Sequence, residues 1–170
     1  DQLQLPHAMA SGSGSVAMGG IDRRNGERWF QLFIFGLVCF CNSWMWMTFT
    51  PLRKESELYY KKYHSSIDLL QDYQLYTAIP MLLVAAYGLD EFGLRLGVIV
   101  VAVLQAFGAM LRVTPNFTLV CIGQFLVAIS SPVLLIGAPK LSANWFDHSE
   151  RMIATAVGTF CYFVGIGAAY

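Results

Sequence analysis

A carboxylate, a glycine and a guanidinium stand close together at Asp90, Gly93 and Arg95 in the stretch Gly88-Leu-Asp-Glu-Phe-Gly93-Leu-Arg95. Opposite charges on either side of a conformationally free residue suit a tight turn whose ends can lock or release. A second group, Asp147, His148 and Glu150, has the residue types of a metal or acid-base site, but not the spacing of a metal-binding or nucleophilic motif. A solvated loop is the expected role of that histidine. The four cysteines, Cys39, Cys41, Cys121 and Cys161, lie in apolar stretches, where thiols behave as small buried hydrophobes. Their spacing indicates neither a disulfide framework nor a zinc site, and Cys39 and Cys41 point to different faces of a helix. Net charge is zero and no Lys/Arg run is interleaved with aromatics, which excludes a nucleic-acid groove.

The elements that must hold these groups are set by where charge is missing. The chain is 56% hydrophobic and only 13% charged, outside the usual range of a soluble domain. No charge occurs between Arg28 and Arg53, Asp72 and Asp90, Arg95 and Arg112, or Arg112 and Lys140, nor after Arg151. A helix rising about 1.5 Å per residue needs roughly 20 apolar residues to cross the hydrocarbon core. The interval between Arg95 and Arg112 is short, but both arginines can extend their charged heads to the interface while their stems stay in lipid. A soluble bundle would require polar faces at helical spacing. Leu94 to Leu111 has none, being apolar all round apart from Arg95 and Gln105.

Residues 1–27 carry Ser, Gly and a few charges and are expected to form a disordered tail. A transmembrane domain follows over 28–170, with spans at about 29–50, 73–89, 94–113, 117–141 and 152–170. Pro51 closes the first span, and 52–72 reads as a polar, Tyr- and Lys-rich loop. The fold class expected is therefore all-α, a multi-span transmembrane bundle of about five helices. The fifth span still continues at Tyr170 and the chain opens on Asp1, so a fragment is expected. Positive charges are shared almost equally between the two sides, so the positive-inside rule does not orient the bundle.

The turn containing Asp90, Gly93 and Arg95 resembles the loop between the second and third helices of the major facilitator superfamily, although Glu91 and Leu94 replace two of that loop's basic positions. Three further segments are similar to the branch related to the feline leukaemia virus subgroup C receptor. They are Asn42-Ser-Trp-Met-Trp-Met-Thr-Phe-Thr-Pro51, Pro139-Lys-Leu-Ser-Ala-Asn-Trp-Phe146 and Glu150-Arg-Met-Ile-Ala-Thr-Ala156. The resemblance covers nearly everything from Arg28 to Tyr170. It implies the first part of the N-terminal half of a carrier that moves a small organic solute, such as haem, choline or ethanolamine, by alternating access.

The resemblance also implies site residues. Choline-handling members use a Trp in an Asn-x-x-x-Trp stretch of the first helix as part of an aromatic cage, and Asn42 to Trp46 matches that spacing. Aromatic faces attract a quaternary ammonium, by about 2 kcal/mol or more once desolvated. Trp46 lies in the outer third of its span, where tryptophan also serves as an interfacial anchor. The family tends to carry a glutamine in the middle of the fourth helix, and counting back from Trp145 puts Ser131 there instead. Substrate-binding candidates are thus Trp46, Asn42 and Ser131, and gating candidates Asp90, Gly93 and Arg95. No catalytic residue, metal or cofactor is expected.

The charge-free intervals hold no carboxylate or histidine that could relay protons or couple an ion. A facilitative carrier, or one whose coupling group lies elsewhere in the polypeptide, is expected. Pro132, Gly137 and Pro139 interrupt the fourth span, with Ser130 and Ser131 available to take up freed carbonyls. Small residues four apart, Ala154 with Gly158 and Cys161 with Gly165, permit close helix approach in the fifth. Expected partners are the solute, the lipid bilayer and the remaining C-terminal helices of the same polypeptide. The expected host is the plasma membrane, with an organelle membrane as the alternative. A non-transporting receptor or scaffold of the same fold, and a membrane enzyme built on the Asp147-His148-Glu150 loop, are the rival classes.

Overall fold

In hydrocarbon every backbone N–H and C=O must find a partner within its own segment, which drives long apolar stretches into helices. The structure, a computed structural model, describes residues 13–61 and 64–170. It holds the helices α1 (Ser13–Met47), α2 (Arg53–Tyr60), α3 (His64–Glu91), α4 (Gly93–Arg112), α5 (Phe117–Trp145) and α6 (Arg151–Ala168), with no strand among the described residues. Among the described residues, four stretches are long and apolar enough to cross a membrane: Gly26–Met47, Gly93–Arg112, Phe117–Trp145 and Arg151–Ala168. This is an integral, multi-pass, all-α membrane protein.

Helix α3 has the length of a crossing at 28 residues but not the mean hydropathy of the other four. Its polar residues explain why. Thr77 is buried and Gln74 half-buried on the side packed against α5, while Leu75, Ile79, Leu83 and Tyr87 are exposed. The exposed face of α3 is therefore apolar in mid-helix, and Gln74 and Thr77 lie on the packed side.

Helix α5 is the hub, packing against α1, α3, α4 and α6. Half of its crossing segment is buried, against 17% for α4 and α6. A core of Leu32, Phe35 and Cys39 from α1, Val101 from α4, Leu134, Ala138 and Leu141 from α5 and Ala154 from α6 fills the centre. Close approach depends on glycine. A Cβ on Gly123 would stand 2.6 Å from the Gly108 carbonyl oxygen, where α5 crosses α4. A Cβ on Gly165 would meet Ser43 Oγ at 2.2 Å and the Phe40 carbonyl oxygen at 2.5 Å, where α6 crosses α1. Cys161, on the same stripe, lies against Gly36.

Helix α1 begins at Ser13, within the stretch 1–27, of which residues 1–12 lie outside the described residues. Two other expectations change. The segment expected as a polar loop is mostly helical, forming α2 and the first turns of α3, with Tyr60 packed on Phe117 at a ring separation of 5.6 Å; Lys62 and Tyr63 lie outside the described residues. Arg112 is taken up by the end of a neighbouring helix. It turns inward and donates from Nη1 to the Met45 carbonyl oxygen at 2.8 Å. The last carbonyls of a helix lack intrahelical partners and carry the negative end of its dipole, so the C-terminal turn of α1 is the stronger attractor for this cation.

Candidate substrate cavity

Ser131 is the middle residue of the 29-residue α5, with fourteen residues on either side, and stands beside Pro132. A cavity of about 300 Å³ opens there among α1, α3, α5 and α6. Apolar side chains form most of its wall, including Ala78, Leu82, Leu134 and Ala138. Its polar lining is concentrated in Gln74 of α3, Ser131 of α5, and Thr159 and Tyr162 of α6, with the Cys39 thiol nearby. Neither Asp, Glu, Lys, Arg nor His is among the lining residues.

The polar groups form one chain of neutral hydrogen bonds across four helices. Asn42, fully buried in α1, donates from Nδ2 to Ser130 Oγ at 2.9 Å and to the Val127 carbonyl oxygen at 3.3 Å. Its Oδ1 accepts from the Ser131 hydroxyl at 2.7 Å. Gln74 Oε1 stands 3.0 Å from the same hydroxyl, and Gln74 Nε2 donates to the Tyr162 hydroxyl at 2.9 Å. Ser130 donates to the Val127 carbonyl at 2.7 Å and Ser131 Oγ stands 3.3 Å from it, whereas Pro132 deprives the carbonyl of Ala128 of its helical partner.

Of the substrate-binding candidates, the structure brings Asn42 and Ser131 into direct contact but places only Ser131 on the cavity wall; Asn42 stands behind it. Trp46 lies one turn further along α1. Its indole N–H donates to the Gln71 carbonyl oxygen at 3.2 Å, and Gln124 Nε2 caps its own carbonyl at 3.2 Å. The ring is half-buried between α1 and α3 and is not part of the cavity wall. Trp44 is exposed and stacks edge-on with Phe40.

The gating candidates lie at one end of the bundle. Phe92 alone separates α3 from α4, and Gly93 takes φ +79°, a left-handed backbone that side-chain-bearing residues rarely adopt. Asp90 pairs with Lys140 near the end of α5, not with Arg95, which is exposed. Arg28 of α1 pairs with Glu150 at 2.8 Å and lies over the Phe146 ring at 5.6 Å. Arg151 Nε donates to the Phe146 carbonyl oxygen at 3.1 Å. These contacts bind the ends of α1, α3, α5 and α6 on the same face of the bundle.

Gln74, Tyr162 and Gln124 were not singled out in the sequence. Gln74 sits at the edge of the charge-free interval that follows Asp72, so it reads as an interfacial residue. Only the start of α3 at His64, ten residues earlier, carries it inside the bundle. Tyr162 did carry a signal, since a tyrosine in mid-span needs a partner for its hydroxyl.

The fold and cavity define a multi-pass helical membrane protein with a solute-sized internal space. No family model matches the chain. Its homologues are solute carrier family 49 members and choline/ethanolamine transporters of the major facilitator type. It is 30% identical over 151 residues to "Solute carrier family 49 member 4 homolog" of Xenopus tropicalis, an alignment covering 85% of this chain and 33% of that protein. It is 27% identical over 166 residues to "Choline/ethanolamine transporter FLVCR2" of Homo sapiens, covering 95% of this chain and 31% of the relative. "Solute carrier family 49 member A3" of Danio rerio is 29% identical over 149 residues, covering 82% and 31%. The chain thus spans about a third of the length of the relatives it matches.

Proposed function

We propose that these helices form most of the N-terminal half of a carrier that moves a small organic solute across a membrane by alternating access. The observation that carries this reading is the cavity half-way along α5. It has apolar walls, a single chain of neutral polar groups and no charged lining residue. Carriers of this kind bind near the midplane, between halves that rock about the site. Ile79, Leu135 and Phe163 line the cavity yet are exposed. A further part of the same polypeptide closes that open side, consistent with a chain spanning a third of its relatives.

Within this reading the solute belongs to the choline, ethanolamine or haem type. Ser131 contacts it directly, Asn42 holds Ser131 in place, and Trp46 offers its ring from one turn away once the Gln71 contact shifts. Asp90, Gly93 and Arg95, with Lys140 and the Arg28–Glu150 pair, hold the gate at one membrane face. Alternation requires that these ties break and reform, and an exposed pair such as Asp90–Lys140 contributes only about 0–1 kcal/mol.

The test is uptake of labelled choline, ethanolamine and haem by cells expressing the complete protein, comparing wild type with Ser131→Ala and Trp46→Ala. Uptake of one solute that drops severalfold in Ser131→Ala supports the reading. Uptake of none of the three above background by the wild type removes it.

A further inference from the structure

Arg112 closes the crossing segment Gly93–Arg112, at the end of α4 away from the Asp90–Lys140 pair. The last residue of a crossing segment places a long cationic side chain at headgroup depth. Its guanidinium is held in place from two sides, by the bond from Nη1 to the Met45 carbonyl oxygen and by the Phe49 ring at 4.9 Å. A guanidinium is a planar fork of N–H donors, and this one bond leaves most of the fork unused. Among the described residues, no second acceptor and no carboxylate meets it.

Arg112 lines a pocket of about 500 Å³ between α1 and α4, together with Cys41, Trp44, Tyr60, Ala109 and Val113. It is the one charged residue of that lining. Helix α1 packs mainly on α6 and α4 mainly on α5, and the two meet each other only lightly, so a furrow runs between them. Cys41, Trp44, Ala109 and Val113 are exposed along it, which opens the pocket sideways rather than into the bundle. Trp44 and Tyr60 add an indole N–H and a hydroxyl, neither of which has a hydrogen-bond partner among the described residues.

We propose that this furrow binds a membrane phospholipid, with Arg112 gripping the phosphate. A fixed guanidinium matches two phosphate oxygens at once, and charge-assisted bonds of this geometry are the strong ones. Trp44 and Tyr60 donate at the rim, and an acyl chain runs down the furrow past Cys41 and Ala109, whose small side chains leave room for it. A further apolar helix laid in the same furrow would fill the space and leave the guanidinium without an anion. A phospholipid supplies the anion and the apolar body in one molecule. The inference is independent of the transport reading.

The experiment follows the melting temperature of the complete protein in detergent against added palmitoyl-oleoyl-phosphatidylglycerol, with diacylglycerol of the same chains and inorganic phosphate as comparisons. The head of this lipid carries no ammonium, so a cation site elsewhere does not respond to it. The expected result is a saturable rise with phosphatidylglycerol and none with either comparison. The half-saturating concentration is expected to increase about tenfold in Arg112→Met, equivalent to about 1.4 kcal/mol. Ala109→Trp fills the furrow and leaves the Arg112 side chain in place, so it is expected to weaken binding by at least as much and serves if Arg112→Met does not fold. An unchanged half-saturating concentration in either folded variant overturns the inference. A rise of the same size with diacylglycerol, which lacks the phosphate, or with inorganic phosphate, which lacks the chains, also overturns it. So does a wild type that does not respond, the result expected if another stretch of the polypeptide occupies the furrow.

Discussion

Arg112, at the end of α4, donates from Nη1 to the carbonyl oxygen of Met45, 2.8 Å away in the last turn of α1. Its guanidinium also lies over the Phe49 ring at 4.9 Å. A span-end arginine is thus a capping group for another helix, and it holds the turn that carries Trp46. Charge-assisted hydrogen bonds of this kind contribute about 1.5–3 kcal/mol. Arg112→Met is expected to lower the melting temperature of the purified protein by several degrees, with Arg112→Lys recovering part of the loss. An unchanged melting temperature in Arg112→Met would show that the cap contributes nothing.

Gly165 and Gly167 make a matched pair on α6. A methyl at Gly165 would collide with Ser43 Oγ at 2.2 Å and the Phe40 carbonyl at 2.5 Å, whereas nothing lies within 4 Å of one at Gly167. Overpacking of this kind costs about 1–3 kcal/mol. Gly165→Ala is expected to lower thermal stability and surface expression, while Gly167→Ala is neutral or slightly stabilising. Equal effects at the two positions would contradict the α1–α6 crossing.

Gln105 is buried in α4 and its side-chain nitrogen has no hydrogen-bond partner. A buried donor left unpaired costs about 1–3 kcal/mol, and an apolar side chain of similar size removes that cost. Gln105→Leu is therefore expected to leave melting temperature unchanged or to raise it. A clear fall would mean that the amide makes an essential bond in another conformation.

The Asp90–Lys140 pair is exposed on the carboxylate side, so its contribution to stability is about 0–1 kcal/mol. Asp90→Asn is expected to leave the melting temperature within a degree or two while changing the rate of uptake. The double exchange Asp90→Lys with Lys140→Asp is expected to restore part of that rate. Identical uptake in wild type and Asp90→Asn would remove Asp90 from the gate.

Neither a carboxylate nor a histidine is among the residues lining the cavity, and the expectation of facilitative transport rests on that lining. Uptake is expected to persist when either gradient is collapsed and to follow the gradient of the solute. Loss of uptake on removing one gradient would place a coupling group outside these residues.

Much of the fold was legible because it follows from composition along short windows. Charge-free intervals of span length, the tight turn from Gly88 to Gly93, and the small-residue stripe Ala154, Gly158, Cys161, Gly165 are all local patterns with direct physical consequences. Local reading failed where a residue's partner is distant. Arg112 looked like an interfacial arginine because nothing near it in sequence is a partner, and the carbonyl that receives it is 67 residues away. The same holds for Gln74, which looked peripheral until α3 was found to begin at His64.

By itself the sequence determined that the chain crosses a membrane repeatedly as helices, because hydrocarbon admits long apolar segments only when their backbone is paired internally. It also determined that the intervals between the charged residues carry only apolar and neutral polar side chains. Which neutral groups meet was decided by the tertiary structure. The links Ser131 to Gln74, Gln74 to Tyr162 and Ser131 to Asn42 join residues 57, 88 and 89 positions apart. Side-chain hydrogen bonds form only over about 3 Å, and that distance is set by helix packing around α5, with Gly108, Gly123 and Gly165 drawing the backbones together.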